Sequence, residues 1–251
     1  MKTAVVIPVY NEAATIRKVV TETLRQVDCV IVVDDGSTDH SLQQIDGLDV
    51  HCLKNPHNMG KAESLRNGFA HALTLNVDAV ITLDGDGQHD PEEIPKLLAA
   101  ANEQPDTIIL AARLKQRQHA PRLRRFANRF ADFWVSWAAG YPVVDSQSGF
   151  RLYPAAVLRT IRLETPREKG FVFESEILIE AANKYFYSTS ISVVSIYRKE
   201  ARDSHYRPWT DTWRIVRMIA GRLLRRGFYP SGLFRSLRLL PDPRNHTLGK
   251  M

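Results

Sequence analysis

From Thr3 onward the hydrophobic positions of the chain fall into a repeating two-part rhythm. Short β-branched runs at residues 4–7, 30–33, 50–53, 79–83 and 107–111 alternate with longer amphipathic stretches at 12–26, around Leu42, at 62–75 and at 92–102. Apolar runs without polar alternation read as strands covered on both faces, and helices between such strands make parallel crossovers. The expected fold class is therefore α/β, with a Rossmann-like, doubly wound and mostly parallel sheet. One helix start is written in local chemistry. Asp90 precedes Pro91, with Glu92 and Glu93 following, so a capping carboxylate stands before a proline at the first helical position and acids fill the first turn.

The pattern changes after Arg113. Arg113, Lys115, Arg117, Arg122, Arg124, Arg125 and Arg129 run without an acid until Asp132, and Phe126, Phe130, Phe133, Trp134 and Trp137 interleave at helical spacing. This predicts a helix with a basic side and an aromatic side. A further strand is expected at 189–197 and a basic amphipathic helix at 211–226. That helix sets Trp213, Val216, Ile219, Ala220, Leu223 and Leu224 on one side and Arg214, Arg217, Arg222, Arg225 and Arg226 largely on the other. The pattern suits an in-plane interfacial helix, and equally a helix packed on the core. Beyond Gly227 come Pro230, Pro241 and Pro243, and that end is expected to be poorly ordered on its own. The expected division is an α/β domain over residues 1–207 and a basic amphipathic helix with a proline-containing tail over 208–251.

Composition narrows the class. At 251 residues with 44% hydrophobic and 25% charged positions the chain is ordinary globular protein, which excludes collagen, coiled-coil rod and wholly disordered classes. No apolar run approaches the roughly 20 residues a bilayer span requires. The start reads as a buried strand, because Pro8 and Glu12 interrupt it before a secretory apolar region of about 7 or more residues can form. Cys29 and Cys52 stand apart from any other Cys or His at metal spacing, so a reducing, cytosolic setting is expected. Residues 205–251 carry ten Lys or Arg against Asp211 and Asp242, a net +8, so the remaining 204 residues sum to −2 within the overall +6. Basicity confined to the tail suits an anionic surface, and no nucleic-acid reader motif accompanies it.

In open α/β sheets ligands bind beyond the carboxyl ends of the strands. Here those ends are polar: Pro8-Val9-Tyr10-Asn11-Glu12 after the first strand, Asp34-Asp35-Gly36-Ser37 after the second, and Asp84-Gly85-Asp86-Gly87-Gln88-His89-Asp90 after the fourth. None forms a G-x-G-x-x-G turn, and Gly60-Lys61 lacks the rest of a P-loop. Gln147-Ser148-Gly149 lacks the first glycine of a nucleophile elbow, so Ser148 is not read as a hydrolase nucleophile. Asp84 and Asp86 carry the sharpest signal. A turn eased by Gly85 and Gly87 brings both carboxylates toward one point, which suits Mg²⁺ or Mn²⁺ completed by a substrate diphosphate, with Gln88 and His89 near enough to complete or orient the shell.

With Asn58-Met59-Gly60-Lys61 and Ser148-Gly149-Phe150-Arg151, these ordered motifs resemble family 2 glycosyltransferases of GT-A fold. The branch most similar is that of dolichyl-phosphate mannose synthases and bacterial polyprenyl-phosphate glycosyltransferases, over about the first 200 residues. The resemblance implies a nucleotide-sugar site, for a UDP- or GDP-linked donor, formed by Pro8, Tyr10, Glu12, Asp35, Lys61, Asp84, Gly85 and Asp86. It implies a metal held by Asp84, Asp86 and Gln88, with Asp84, Asp86 and Arg151 as the catalytic set. A lipid-phosphate acceptor would meet Arg113, Arg124, Ser148, Arg151 and Arg198, since guanidinium groups bind phosphate in a fixed fork.

The reaction so implied is inverting transfer to a polyprenyl phosphate by a peripheral enzyme on the inner face of the cytoplasmic membrane. Alternatives are a glycolipid or secondary-metabolite hydroxyl as acceptor, and a silent sugar-nucleotide-binding partner of a membrane complex. A phosphate acceptor needs no general base, and the region of Asp145 and Phe173-Glu174-Ser175-Glu176 offers no clear acidic dyad. After Arg198 the chain departs from the branch, with Asp203-Ser204-His205-Tyr206-Arg207 in place of Gly-x-Ser-Lys; Ser204 and His205 would occupy the equivalent loop, with His205 or Arg207 supplying positive charge.

Overall fold

The computed structural model of the protein describes residues 1–112, 122–163, 170–194 and 208–246. Its strands are β1 (Thr3–Val9), β2 (Cys29–Asp34), β3 (His51–Lys54), β4 (Ala79–Thr82), β5 (Ile108–Ala112), β6 (Arg151–Pro154) and β7 (Ser188–Ser192). They form one seven-stranded sheet in the order β3-β2-β1-β4-β6-β5-β7. All neighbours run parallel except β6, which lies antiparallel between β4 and β5. The order turns back on itself on either side of β1, which opens the crevice that doubly wound sheets use for ligands.

Strands β1, β2, β4 and β5 are apolar on both sides because both sides are covered. Ala4, Val6, Ile31 and Val33 face a core closed by α2 (Lys61–Thr74), α4 (Arg122–Ala139), α6 (Gly170–Asn183) and α7 (Pro208–Arg225). Val5, Ile7, Val30 and Val32 face the opposite core, closed by α1 (Ile16–Leu24) and α3 (Ile94–Glu103), and the short helix α5 (Ala155–Thr160) follows β6. Each fully buried Val or Ile contributes roughly 1.5–3 kcal/mol, which fixes the register of the sheet and hence the edge on which its loops emerge.

Local chemistry sets several boundaries. Asp90 accepts from the Glu92 amide at 3.0 Å as the sequence predicts, but the turn it caps is a 3₁₀ turn, Pro91–Glu93, that leads into α3. Around Leu42 the chain makes only a 3₁₀ turn, Gln43–Ile45, because the expected amphipathic stretch is too short to sustain a helix. The strand expected at 189–197 is β7, which starts one residue earlier and ends at Ser192, so residues 193 and 194 are not strand and 195–197 lie outside the described residues.

The segment after Gly227 is more structured than expected. Helix α8 (Pro230–Ser236) packs on α4, and a 3₁₀ turn follows at Pro243–His246. Side chains explain the difference. The Trp137 indole donates to the Phe228 carbonyl at 3.1 Å, and Arg226 stacks over the Tyr229 ring at 4.0 Å. Arg244 donates to the Ser188 carbonyl at 3.1 Å, so the prolines punctuate a docked segment. Helix α7 turns Ile215, Ile219 and Leu223 into the core against α4 and α6, and Arg222 pairs there with Glu176 and Glu180.

Candidate active site

The loops beyond β1, β2 and β4 are stitched to one another. The Asn11 amide donates to Ser37 Oγ at 3.0 Å, and Asn11 Oδ1 accepts from the Thr38 amide at 2.8 Å. The Ala13 amide donates to Asp39 Oδ2 at 3.0 Å, while Thr15 Oγ1 donates to the Gly85 carbonyl at 2.7 Å. Gly36 allows this closeness twice over. It adopts φ +74°, and a Cβ there would stand 2.7 Å from the His57 carbonyl carbon. Pro8, Tyr10 and Glu12 line the first loop, each half-buried.

At the centre stands Asp84. Lys61, the first residue of α2, reaches its Oδ1 at 2.6 Å and Glu174 Oε1 at 3.1 Å, joining three elements far apart in sequence. His89 Nε2 lies 3.6 Å from the other Asp84 oxygen and packs on Phe150. Burial disfavours the Asp84 charge, but Lys61 and His89 outweigh it and hold the carboxyl well below the usual range. Burial likewise works against the Lys61 ammonium, and Asp84 followed by Glu174 drives it above its ordinary value instead. Asp86 moves the other way: burial and then the Asp84 charge raise it, although its Oδ1 accepts from the Gln88 amide at 2.9 Å.

Gly149 faces this cluster directly. A Cβ at that position would lie 2.7 Å from Asp84 Oδ2 and 3.0 Å from Lys61 Nζ. A side chain there would displace the carboxylate or the ammonium, and Thr82 Oγ1 fixes the Gly149 backbone by donating to its carbonyl at 2.7 Å.

Three expected contacts take other roles. Arg151 is fully buried, and its guanidinium donates to the carbonyls of Ser146 (2.6 Å), Ser148 (2.6 Å) and Glu174 (2.8 Å). It therefore anchors the 146–149 turn to α6, and no solvent-facing donor is left for a phosphate. Ser148 is also fully buried and donates to the Ala111 carbonyl at 2.7 Å, which removes it from the acceptor set. Asp35 is 4% exposed and accepts from Asn55 Nδ2, the Met59 amide and the Gly60 amide, so it fastens the loop that delivers Lys61. Arg113, Arg198, Ser204, His205 and Arg207 lie outside the described residues, as does the side chain of Arg124. Glu174 was not among the expected site residues. Its signal in the sequence is an acid within the apolar stretch 171–179, where burial demands a cationic partner.

The donor set fits a divalent cation. Asp84, Asp86 and Glu174 set three carboxylates against the Lys61 ammonium, and the Asp86 carboxyl is raised by the neighbouring negative charge, which is the condition a hard cation relieves. Among the described residues no group of three or more His, Cys, Asp or Glu is preassembled for a metal.

The family model described as glycosyl transferase family 2 matches residues 4–161, more than half of the chain. The chain belongs to glycosyl transferase family 2. It is a glycosyltransferase of GT-A fold. An uncharacterised protein of Methanocaldococcus jannaschii is 31% identical over 71% of this chain and 81% of its own length. The UDP-N-acetylglucosamine–dolichyl-phosphate N-acetylglucosaminyltransferase of Methanococcus voltae is 28% identical, over 76% of this chain and 84% of that one. The undecaprenyl-phosphate 4-deoxy-4-formamido-L-arabinose transferase of Shewanella sediminis is 31% identical over 67% of this chain, which spans only 53% of that protein. In fold the chain is similar to glucosyl-3-phosphoglycerate synthase of Mycobacterium tuberculosis in complex with Mn²⁺, UDP-glucose and phosphoglyceric acid, with TM-score 0.65 at 20% identity, covering 90% of this chain and 79% of that one.

Proposed function

We propose that this family 2 glycosyltransferase moves a sugar, with inversion, from a nucleoside-diphosphate donor to a polyprenyl phosphate or related lipid phosphate at the cytoplasmic face of a membrane. The observation that carries this reading is the Lys61–Asp84–Asp86 cluster beneath Gly149 at the carboxyl edge of the sheet. Pro8, Tyr10 and Glu12 line the loop that would hold the base and ribose. Asp84, Asp86 and Gln88 would hold Mg²⁺ or Mn²⁺, which neutralises charge on the departing diphosphate. Lys61 adds a second cation there, and Glu174 and Asp84 fix where its ammonium stands. An acceptor phosphate oxygen attacks the anomeric carbon, the bond to the donor diphosphate breaks, and the electron pair leaves with the nucleoside diphosphate.

No residue has to remove a proton from such an acceptor, because a phosphate monoester has its second pKa near 6. This agrees with the site, where the buried Glu174 is committed to Lys61 and Asp84 to Lys61 and His89. With Arg151 and Ser148 assigned to the scaffold, acceptor binding is expected from Arg113, Arg124 and Arg198. Arg113 directly follows β5 in the chain. Residues 1–207 would then carry catalysis, and residues 208–251 would contribute to the attachment to the membrane.

The test is to incubate the purified protein with a panel of UDP- and GDP-sugars, Mg²⁺ or Mn²⁺, and either polyprenyl phosphate or the corresponding polyprenol. Nucleoside diphosphate release and labelled lipid are followed together. The reading expects product with the phosphate and not with the alcohol. Turnover with a hydroxyl acceptor, or without any lipid, overturns the acceptor assignment.

A further inference from the structure

The burial of α7 against the core leaves its expected membrane face occupied, yet apolar surface remains outside it. Of thirteen exposed large hydrophobic side chains among the described residues, nine lie on α4, α7 and the segment after α7. Phe126 is 65% exposed, Trp213 68% and Leu239 67%, and Phe126 stacks on Phe130 with ring centroids 6.1 Å apart. Strands β5 and β7 are parallel neighbours, and helices α4 and α7, which come after them in the chain, pack against each other. Their C-terminal ends meet: Arg226 donates to the Ala138 carbonyl at 3.3 Å, and Trp137 to that of Phe228 at 3.1 Å. The two 18-residue helices therefore run side by side, a layer about 27 Å long, with α8 against α4.

We propose that the outer surface of α4, α7 and α8 docks on an anionic lipid bilayer, and that the cleft between Arg235 and Arg238 receives an anionic headgroup. This deepens the lipid-acceptor reading by naming the surface that brings the enzyme to its substrate. Charge selects the occupant. Exposed Arg125 and Arg129 flank Phe126 and Phe130, Arg217 lies between Trp213 and Leu224 along α7, and Arg235 and Arg238 flank Leu237. Protein interfaces are depleted in charge at their cores, whereas aromatic and aliphatic side chains mixed with arginine suit the headgroup region of a bilayer. A second copy of this face would set arginine against arginine.

The cleft itself holds about 280 Å³, lined by Pro142, Arg235, Arg238, Leu240, Asp242 and Arg244. Asp242 is taken by Arg244, whose Nη2 lies 2.6 Å from Oδ2 and whose Nε lies 3.0 Å from both oxygens. Arg235 and Arg238 are in no ion pair among the described residues, so two guanidinium groups stand at a cleft whose acid is already neutralised. Exposed Phe234, Leu237 and Leu239 adjoin it in the chain, which places acyl-compatible surface beside the anion site.

The full chain is floated with phosphatidylcholine vesicles, with and without phosphatidylglycerol. We expect binding only when the anionic lipid is present, lowered at least about tenfold by Phe126→Ser with Phe130→Ser, and again by Arg235→Glu with Arg238→Glu, at unchanged Tm and UDP affinity. Equal binding to both vesicle types, or variants that float like the wild type, overturns the proposal. So does light scattering that shows a dimer dissolved by the same substitutions, which would give the face to a second copy. Flotation needs neither donor nor acceptor, so normal flotation without lipid glycosylation counts against the acceptor reading alone. Glycosylation of detergent-dispersed acceptor without flotation counts against this surface alone.

Discussion

The active-site crevice and the helical layer on one face of the sheet treat charge in opposite ways. In the crevice nearly every charged group has a named partner, as with Lys61 between Asp84 and Glu174, or Asp35 beneath Met59 and Gly60. On α4, α7 and α8 arginines and large apolar groups stand exposed side by side. Preorganisation explains the first arrangement, because groups that meet developing charge must not reorganise during the reaction. The second is that of a surface whose partner lies outside the chain. Charge is thus held by partners around the crevice, whereas on the helical layer paired arginines such as Arg222 stand beside exposed ones such as Arg129 and Arg217.

The sharpest way to break that contrast is in the crevice. Asp86→Ala should lower nucleoside diphosphate release by about 10²–10³, on the scale of removing one preorganised electrostatic group, with little change in Tm. Arg151→Lys should instead act on the fold. Losing the guanidinium fork leaves the carbonyls of Ser146, Ser148 and Glu174 short of donors, at a cost of about 3–5 kcal/mol in urea unfolding. A variant that keeps full stability and loses only turnover would return Arg151 to the substrate.

Two neighbouring leucines sharpen the contrast on α7. Leu223 is 2% exposed and Leu224 59%. Leu223→Ala should cost about 2–5 kcal/mol, whereas Leu224→Ala should stay within about 0.5 kcal/mol by the same denaturation assay. The smallest expected effect is that of pH. Asp86 is raised and Asp84 lowered, so on acidification Asp86 takes up its proton first. Divalent-ion-assisted UDP binding should fall with pH while the Lys61–Asp84 pair and the fold persist. The stability from that pair is present above the unfolded Asp value of 3.8 and below the unfolded Lys value of 10.5. Loss of binding and of the fold at the same pH would contradict the separation of the two carboxylates.

Much of this architecture is legible in the sequence, for identifiable reasons. Unbroken β-branched runs declare strands buried on both sides, and Asp90-Pro91 declares a helix entry. Strand β6 is harder to read, because Arg-Leu-Tyr-Pro combines a buried guanidinium with a terminal proline and has only four residues. The Ser148–Arg151 motif marks the right turn. Membership in a motif does not distinguish an arginine that grips a ligand from one that holds the turn, and only the carbonyls around Arg151 reveal the difference. Lys61 and Asp84 are separated by 23 positions and Glu174 by a further 90, so no local pattern announces their union. The docked tail escapes notice for a similar reason. Its prolines resemble a disordered end, while the groups that hold it, Trp137 and Ser188, belong to distant elements.

The central claim is that Asp84 and Asp86 bind a nucleoside diphosphate through a divalent ion. Calorimetric titration of UDP and GDP into the protein, with and without Mn²⁺, tests it most directly. The account predicts that Mn²⁺ tightens binding of one of them at least about tenfold in the wild type, and that Asp86→Asn abolishes the gain at unchanged Tm. Equal affinity with and without the ion for both nucleotides would contradict it.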